Sequence, residues 1–532
     1  MSRVTSTLDH AGERDPAAVR RGGMVATSQP LAVEAGLDVM RRGGNAIDAA
    51  VCAAAVLCVV EPMSTGIGGD CFALAWRPGD QAPVGINGSG RAPVLADIAD
   101  LRRRGHDEMP ERGVLSVTVP GGLHAWKSLL DARGTMRLAD LLKPAIRYAD
   151  EGFEVTPAIA DGWASLAQDL REGDGTQIWL VDGRAPEAGE RFRCPDLGHT
   201  LARVAADGIG TLYGGRVAQA IEEHVRRVGG WLTARDLEAH ESTWVTPLEV
   251  SYRGHSVFEL PPNGQGIVVL EALGILDGYP LADVREDHRW HLMIEAIKLA
   301  FADGLRYVGD PDHLEAPPQA LLDEAYLERR REAIGDHALQ AATAGLPGTD
   351  TVYVAAVDPD GGCCSLINSL YMPFGSMVVA ERTGVALQNR GALFSLEKGH
   401  PNALGPRRRP YHTIIPAMVF REGRPWIVLG VVGGFQQPQG QVQILSRMID
   451  LGAEPEEAVA APRFRWVEGA DVRIEHGAPA ELAEDLAGRG HRIVERDGYG
   501  GFGGAQVIRI DPATGALAGA ADPRRDGRAG SL

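Results

Sequence analysis

From Ala46 to Val60 nearly every position is apolar, with no polar face at helical or strand spacing. Such a segment is expected to be a helix buried on all sides, and Asn45 stands where it can cap it. Ahead of it a helix is expected from Ser28, as cap, with Pro30 in its first turn, to about Arg42; Gly43 and Gly44 suit its end. Beyond Pro62 the chain passes through Ser64-Thr65-Gly66-Ile67-Gly68-Gly69-Asp70 into an apolar strand at Cys71–Trp76. From roughly Gly121 to Asp310 the pattern reads as helices joined by Gly/Pro turns, Trp290–Tyr307 being a strong amphipathic one. Ala316–Gly348 is charged and Ala-rich, and is expected to be a helix leading into an exposed linker at Gly345-Leu346-Pro347-Gly348.

The character changes at Asp350. Thr351–Asp358 and Cys363–Tyr371 are β-rich runs around Pro359-Asp360-Gly361-Gly362, a strong hairpin signal. Strands are expected again at Thr413–Arg421, Trp426–Val432 and Gln506–Asp511, with a helix near Gln439–Leu451. Strands with helices outside them imply an α/β layered sandwich. No tandem repeat or low-complexity tract interrupts it.

Length and composition narrow the function. A chain of 532 residues is long for one compact core, though a single large layered domain remains open to it. The net charge of −18 argues against a nucleic-acid partner, because that binding draws on basic patches. The longest apolar run is too short to cross a bilayer, and the polar first 23 residues lack an apolar signal core, so the expected location is cytoplasmic. The six cysteines show neither CxxC spacing nor disulfide-scaffold density and read as small buried hydrophobes. Cys363 and Cys364, adjacent in a strand, should point to opposite faces.

Three constellations could carry chemistry. Thr351 follows a linker and opens a hairpin whose second strand brings Ser369 close. Pairing Asp358 with Cys363 sets Thr351 opposite Leu370, and a slip of one residue sets it opposite Ser369. A cut between Asp350 and Thr351 would give Thr351 a free α-amine with a reference pKa of about 7.7–8.0, so one residue would supply nucleophile and general base. Gly430-Val431-Val432-Gly433-Gly434-Phe435 directly follows a strand, and its paired glycines can present backbone N–H groups to an oxyanion. The Gly66–Asp70 turn lacks the phosphate-loop pattern and is better read as a packed turn. His288 and His291 share a helix face without an acidic third ligand, so neither a metal nor an organic cofactor is expected. No serine-hydrolase elbow stands at a convincing strand–helix turn.

The run Met24-Val25-Ala26-Thr27-Ser28-Gln29-Pro30 through Gly43-Gly44-Asn45-Ala46-Ile47-Asp48 strongly resembles the opening of gamma-glutamyltransferases. Gly66–Asp70, Val119-Pro120-Gly121-Gly122, Ala300-Phe301-Ala302-Asp303, Ala461-Pro462-Arg463-Phe464 and Asp522-Pro523-Arg524 follow in order, and the likeness spans about Gly23 to Arg525. The resemblance implies a four-layer αββα sandwich of the N-terminal nucleophile hydrolases, made as one precursor that cleaves itself. It implies a leader over residues 1–23, a large subunit over 24–350 and a small subunit over 351–532, compatible with a dimer of heterodimers. It further implies Thr351 as nucleophile, Ser369 as its supporting hydroxyl, and the amides of Gly433 and Gly434 as the oxyanion hole.

The departures bear on substrate. Where glutamyl-binding members carry an arginine for the α-carboxylate, this chain has Ser89, with Arg91 two residues later. Their acidic holder of the α-amine falls at Leu393, their serine pair at His412 and Thr413, and their Asn and Gln at Tyr371 and Arg390. The altered set looks like the branch with oxamate amidohydrolase and some cephalosporin acylases. The implied activity is hydrolysis of a small carboxylate-bearing amide, with Arg91, Tyr371, Arg390, His412 and Thr413 as substrate-binding candidates. The rival readings are a gamma-glutamyl hydrolase or transferase, and a non-catalytic scaffold.

Overall fold

The computed structural model describes residues 22–314, 316–340, 350–495 and 501–532. In chain order the elements that build the site are β1 (Met24–Thr27), α1 (Pro30–Arg41), α2 (Ala46–Val60), β2 (Asp70–Trp76), β3 (Val84–Gly88) and β4 (Thr243–Val245). Next come β5 (Leu248–Tyr252), β6 (His255–Glu259), α3 (Gly266–Leu276), α4 (Glu286–Tyr307), β7 (Asp350–Val357) and β8 (Cys363–Tyr371). They close with β9 (Ala417–Arg421), β10 (Arg424–Val432), α5 (Gln436–Asp450), β11 (Gly504–Ile510), β12 (Leu517–Ala521) and β13 (Arg528–Ser531).

Two antiparallel sheets result. The first runs β13-β1-β7-β8-β2-β3-β4 and the second β12-β11-β10-β9-β6-β5. Strand alternation sorts their side chains into three apolar layers. Met24, Phe72, Tyr353 and Ile367 of the first sheet meet Phe258, Met418, Val428 and Ile508 of the second between the sheets. Val352, Val354 and Cys364 point the other way, onto the fully buried α2. Val419, Ile427 and Leu429 pack outward with α3, α4 and α5. Helix, sheet, sheet, helix is the four-layer αββα order the resemblance implied.

Several local expectations hold. Asn45 caps α2, accepting from the Ile47 and Asp48 amides at 3.0 and 3.1 Å. All six cysteines are free and buried, with burial pushing the thiols of Cys52, Cys58, Cys194 and Cys364 up to about 12. Cys363 faces the inter-sheet layer and Cys364 faces α2.

Others need correction. Ser28 does not cap α1: its Oγ donates to Glu61 Oε2 at 2.5 Å, and Gln29 holds the cap position without a side-chain bond. The stretch from Gly121 to Asp310 is not all helical, because β4, β5 and β6 lie within it. Leu248–Tyr252 alternates buried and exposed positions, the period-two pattern of a half-covered strand. Helix α4 is buried on nearly every face from Trp290 to Phe301, since it lies between α3 and other elements rather than at the surface. The helix expected from Ala316 is short, a 3₁₀ turn at Pro318–Leu322 and a helix at Glu324–Glu332. The leader, but for Gly22 and Gly23, and the linker at 341–349 lie outside the described residues.

Candidate active site

Thr351 sits at a kink in the first sheet. From Cys363 to Asn368, β8 pairs with β7 so that Cys363 faces Val357 and Asn368 faces Val352; at Tyr371 the partner is Asp350. One extra residue is thus accommodated in β8, a β-bulge. Both registers left open by the hairpin pattern occur, one on each side of the bulge. Thr351 and Ser369 are buried and face the inter-sheet layer, and their hydroxyl oxygens lie 3.1 Å apart. Tyr371, just beyond, has φ +84°, a left-handed conformation uncommon for a bulky side chain.

Arg390 enters from the short 3₁₀ turn Arg390–Leu393 and is fully buried. Its Nη2 donates to Ser369 Oγ at 3.1 Å and its Nη1 to Thr413 Oγ1 at 2.7 Å. The guanidinium lies 4.6 Å from the centroid of the Tyr371 ring, a cation–π distance. Burial pushes its pKa down to about 10, with Asp70 and Tyr371 acting in the opposite sense, so it stays cationic at neutral pH. The Tyr371 amide also donates to Ser369 Oγ, at 2.8 Å. Four of the sequence-chosen residues, Ser369, Tyr371, Arg390 and Thr413, therefore form one hydrogen-bonded and stacked group around Thr351.

Gly433 and Gly434 follow β10 at φ +113° and +59°, a turn open to glycine at little cost. Their carbonyls accept from the Gln436 and Gln437 amides at 3.0 Å, which starts α5. The turn is tied to the nucleophile group through Gln265, whose Nε2 donates to Gly434 O at 2.9 Å and to Thr413 O at 2.8 Å. No local pattern in the sequence marks Gln265 for this role, because its partners lie 148 and 169 positions away.

His412 and Arg91 are placed differently. His412 is buried with its Nε2 3.0 Å from Asp70 Oδ2, and its ring centroid is 4.5 Å from that of Phe72. Its Nδ1 accepts from the Ile414 amide at 3.3 Å, so the ring proton sits on Nε2 and is donated to Asp70. Burial, with Arg390 and Arg409 nearby, holds His412 well below the usual imidazole range, so it is neutral. Arg91 is held outside this group by Asp310 at 3.2 Å, Asp312 at 3.7 Å and the Arg407 carbonyl at 2.9 Å.

Asp70 is the larger omission, because its turn reads as packing alone. Its Oδ1 accepts from the Gly90 amide at 2.9 Å, the Gly121 amide at 3.2 Å and Gln388 Nε2 at 2.8 Å. Burial pushes this carboxyl up to about 6, against the pull of Arg390 and these donors. A lone acidic residue after two glycines gives no signal in sequence. Only the fold shows four other segments converging on it, at Gly90, Gly121, Gln388 and His412.

A cleft of about 650 Å³ opens beside this group, lined by Met109, Leu393, Phe394, Tyr411 and Phe435, with Glu108 and Glu111 among its charged residues. Tyr411 and Phe435 stack at 5.9 Å. Phe435 adjoins Gly434, and Leu393 closes the turn that carries Arg390. His291, Glu295 and His491 are buried together, the one cluster among the described residues with metal-ligand spacing. Lys298 Nζ donates to Glu295 Oε1 at 2.7 Å, and the two imidazoles bond each other at 2.9 Å, so a cation already occupies this cluster.

The family model described as gamma-glutamyltranspeptidase matches residues 32–532. The chain belongs to that family. It is 38% identical over 521 residues to the glutathione hydrolase-like YwrD proenzyme of Bacillus subtilis, covering 95% of this chain and 98% of that one. It is 37% identical over 523 residues to the oxamate amidohydrolase proenzyme of Klebsiella pneumoniae, at 95% and 98% coverage. The crystal structure of a cephalosporin acylase from Bacillus halodurans superposes with a TM-score of 0.94 at 42% identity, covering 100% of this chain and 99% of that one. Such relatives mark the protein as an N-terminal nucleophile amidohydrolase, of the branch its altered residues suggested. Among the described residues no helix is long and apolar enough to cross a membrane.

Proposed function

We propose that the chain is a precursor that cuts itself between Asp350 and Thr351, and that the matured enzyme hydrolyses a small amide or N-acyl compound bearing a carboxylate. The 3.1 Å contact between the Thr351 and Ser369 hydroxyls, braced by Arg390, carries this reading. Ser369 Oγ accepts from the Tyr371 amide at 2.8 Å and from Arg390 Nη2 at 3.1 Å, which fixes it beside Thr351 Oγ1. A hydroxyl held there can stabilise negative charge as the nucleophile forms.

In the precursor, Thr351 Oγ1 attacks the Asp350 carbonyl, the C–N bond breaks, and water opens the resulting ester. The freed α-amine of Thr351 then takes the hydroxyl proton as Oγ1 attacks the substrate carbonyl. The amides of Gly433 and Gly434 hold the tetrahedral oxyanion. Collapse breaks the amide bond, the α-ammonium returns the proton to the leaving amine, and water, deprotonated by the same amine, hydrolyses the acyl ester.

Arg390 supplies the positive charge toward which a substrate carboxylate is drawn. Its Nε has no hydrogen-bond partner among the described residues, whereas the Arg91 guanidinium is engaged by carboxylates. Leu393 and Phe394 on the cleft wall favour an acyl group without an α-ammonium, which weighs against gamma-glutamyl substrates. The name of the oxamate-hydrolysing relative supports the same substrate class.

The test is the intact mass of wild type beside Thr351→Ala, with N-termini identified, followed by a panel of N-acyl acids and glutathione. Cleavage before Thr351 in wild type alone, with turnover of N-acyl acids, is expected. A wild-type chain that stays whole at 56.7 kDa overturns the mechanism in favour of a scaffold. A preference for glutathione overturns the substrate class only.

A further inference from the structure

We propose that Gln265 is a positioning residue that fixes the Gly433–Gly434 turn relative to the nucleophile; this rests on the reading of that turn as the oxyanion hole. Gln265 is fully buried at the head of α3. Its two amide hydrogens go to two carbonyls from separate segments, Gly434 O at 2.9 Å and Thr413 O at 2.8 Å. Its Oε1 lies 3.3 Å from the Tyr411 hydroxyl, and its backbone amide donates to His412 O at 2.9 Å. One side chain thus staples residues 411–413 to the glycine turn.

Both sides of the reaction centre hang on that staple. Thr413 Oγ1 receives Arg390, Arg390 donates to Ser369, and Ser369 meets Thr351. On the opposite side the two glycines, at φ +113° and +59°, have no side chain to fix their peptide planes. The carboxamide of Gln265 restrains the second of them at its carbonyl. Without it, Gly434 O keeps only the Gln437 amide, Thr413 O loses this donor, and the angle between nucleophile and oxyanion donors is free to drift. A loss of this kind is felt where the oxyanion forms, so it lowers kcat rather than substrate affinity.

The experiment compares Q265M, which keeps length but donates nothing, with Q265E, which when neutral keeps one donor, and with G434A. Expected for Q265M is a fall in kcat of about tenfold or more, with KM within about twofold, and a slower self-cleavage in parallel. Q265E should lie between Q265M and wild type, and it carries the comparison if Q265M does not fold. A wild-type kcat in both Gln265 variants, or losses that follow only the fraction of folded protein, overturns the proposal. If G434A lowers kcat while the Gln265 variants do not, the positioning role alone falls. If G434A turns over at the wild-type rate, the oxyanion reading falls with it.

Discussion

Asp70 and Ser369 are direct cross-strand partners, β2 beside β8, so the Asp70 carboxylate and the Ser369 hydroxyl share the inward face of the sheet. The adjacent strand places Thr351 in the same row, which makes the charge on Asp70 part of the nucleophile's surroundings. With its carboxyl pushed up to about 6, Asp70 is ionised at pH 7 and becomes neutral within an accessible range.

Activity should therefore fall as pH drops through about 6, when Asp70 loses its charge, its hold on the His412 proton and its field at Arg390. Stability moves in the opposite sense. A folded pKa above the ordinary carboxyl value of 3.8 means the native state binds the extra proton, so this group's contribution is fullest below that value and is lost as pH rises through about 6. Asp70→Asn should remove the limb near 6 from the kcat profile while keeping a second limb, from the α-amine, at about 7.7–8.0. A profile identical to wild type would show that Asp70 does not sense the reaction.

Arg390→Lys keeps the charge but not the fork that reaches Ser369 and Thr413 together. Turnover should drop on the order of ten- to a hundredfold, since one ammonium on a flexible stem cannot brace both hydroxyls. Self-cleavage rates followed by mass should fall with it. Unchanged kinetics would reduce Arg390 to a packing residue.

Lys298 and Glu295 form a buried ion pair that also binds the Leu339 backbone, through Lys298 to its carbonyl at 3.3 Å and Glu295 to its amide at 2.9 Å. Lys298→Met leaves a carboxylate buried without its cation, a loss of roughly 3–5 kcal/mol. The double variant with Glu295→Gln should recover much of that loss, and thermal melting of the single and double variants measures the coupling.

The hairpin, α2 with its cap, and the β10–glycine turn were legible because each depends on local pattern: alternation, an unbroken apolar run, a Gly-Gly step after a strand. The β5–β6 hairpin was lost among helical neighbours, although Leu248, Val250 and Tyr252 alternate with Glu249 and Ser251. The candidate site was legible in its chemistry-bearing side chains and not in its supports. Asp70 and Gln265 act through contacts across 342 and 169 positions of sequence, to His412 and Gly434, and no local periodicity records those. His412 illustrates the converse. Its place in a binding motif suggested a ligand contact, and the structure shows what no motif does, its burial against Phe72 and Asp70 beside Thr413.

The cleft wall gives the sharpest test of specificity. Leu393 is nearly buried, lines the cleft and closes the turn that begins with Arg390. The family resemblance puts there the acid that holds a substrate α-ammonium, and leucine can offer that cation only desolvation. Leu393→Asp restores a carboxylate three residues from Arg390, with Glu111 on the same wall. A charge pair formed in such a cleft is typically worth a few kcal/mol, and rejecting an apolar acyl group adds to it. The ratio of kcat/KM for gamma-glutamyl against N-acyl substrates should rise by about tenfold or more, with Thr351 chemistry intact as judged by unchanged self-cleavage. A ratio that does not move would mean that the acyl group binds away from Leu393, and the apolar wall would then face the leaving amine instead.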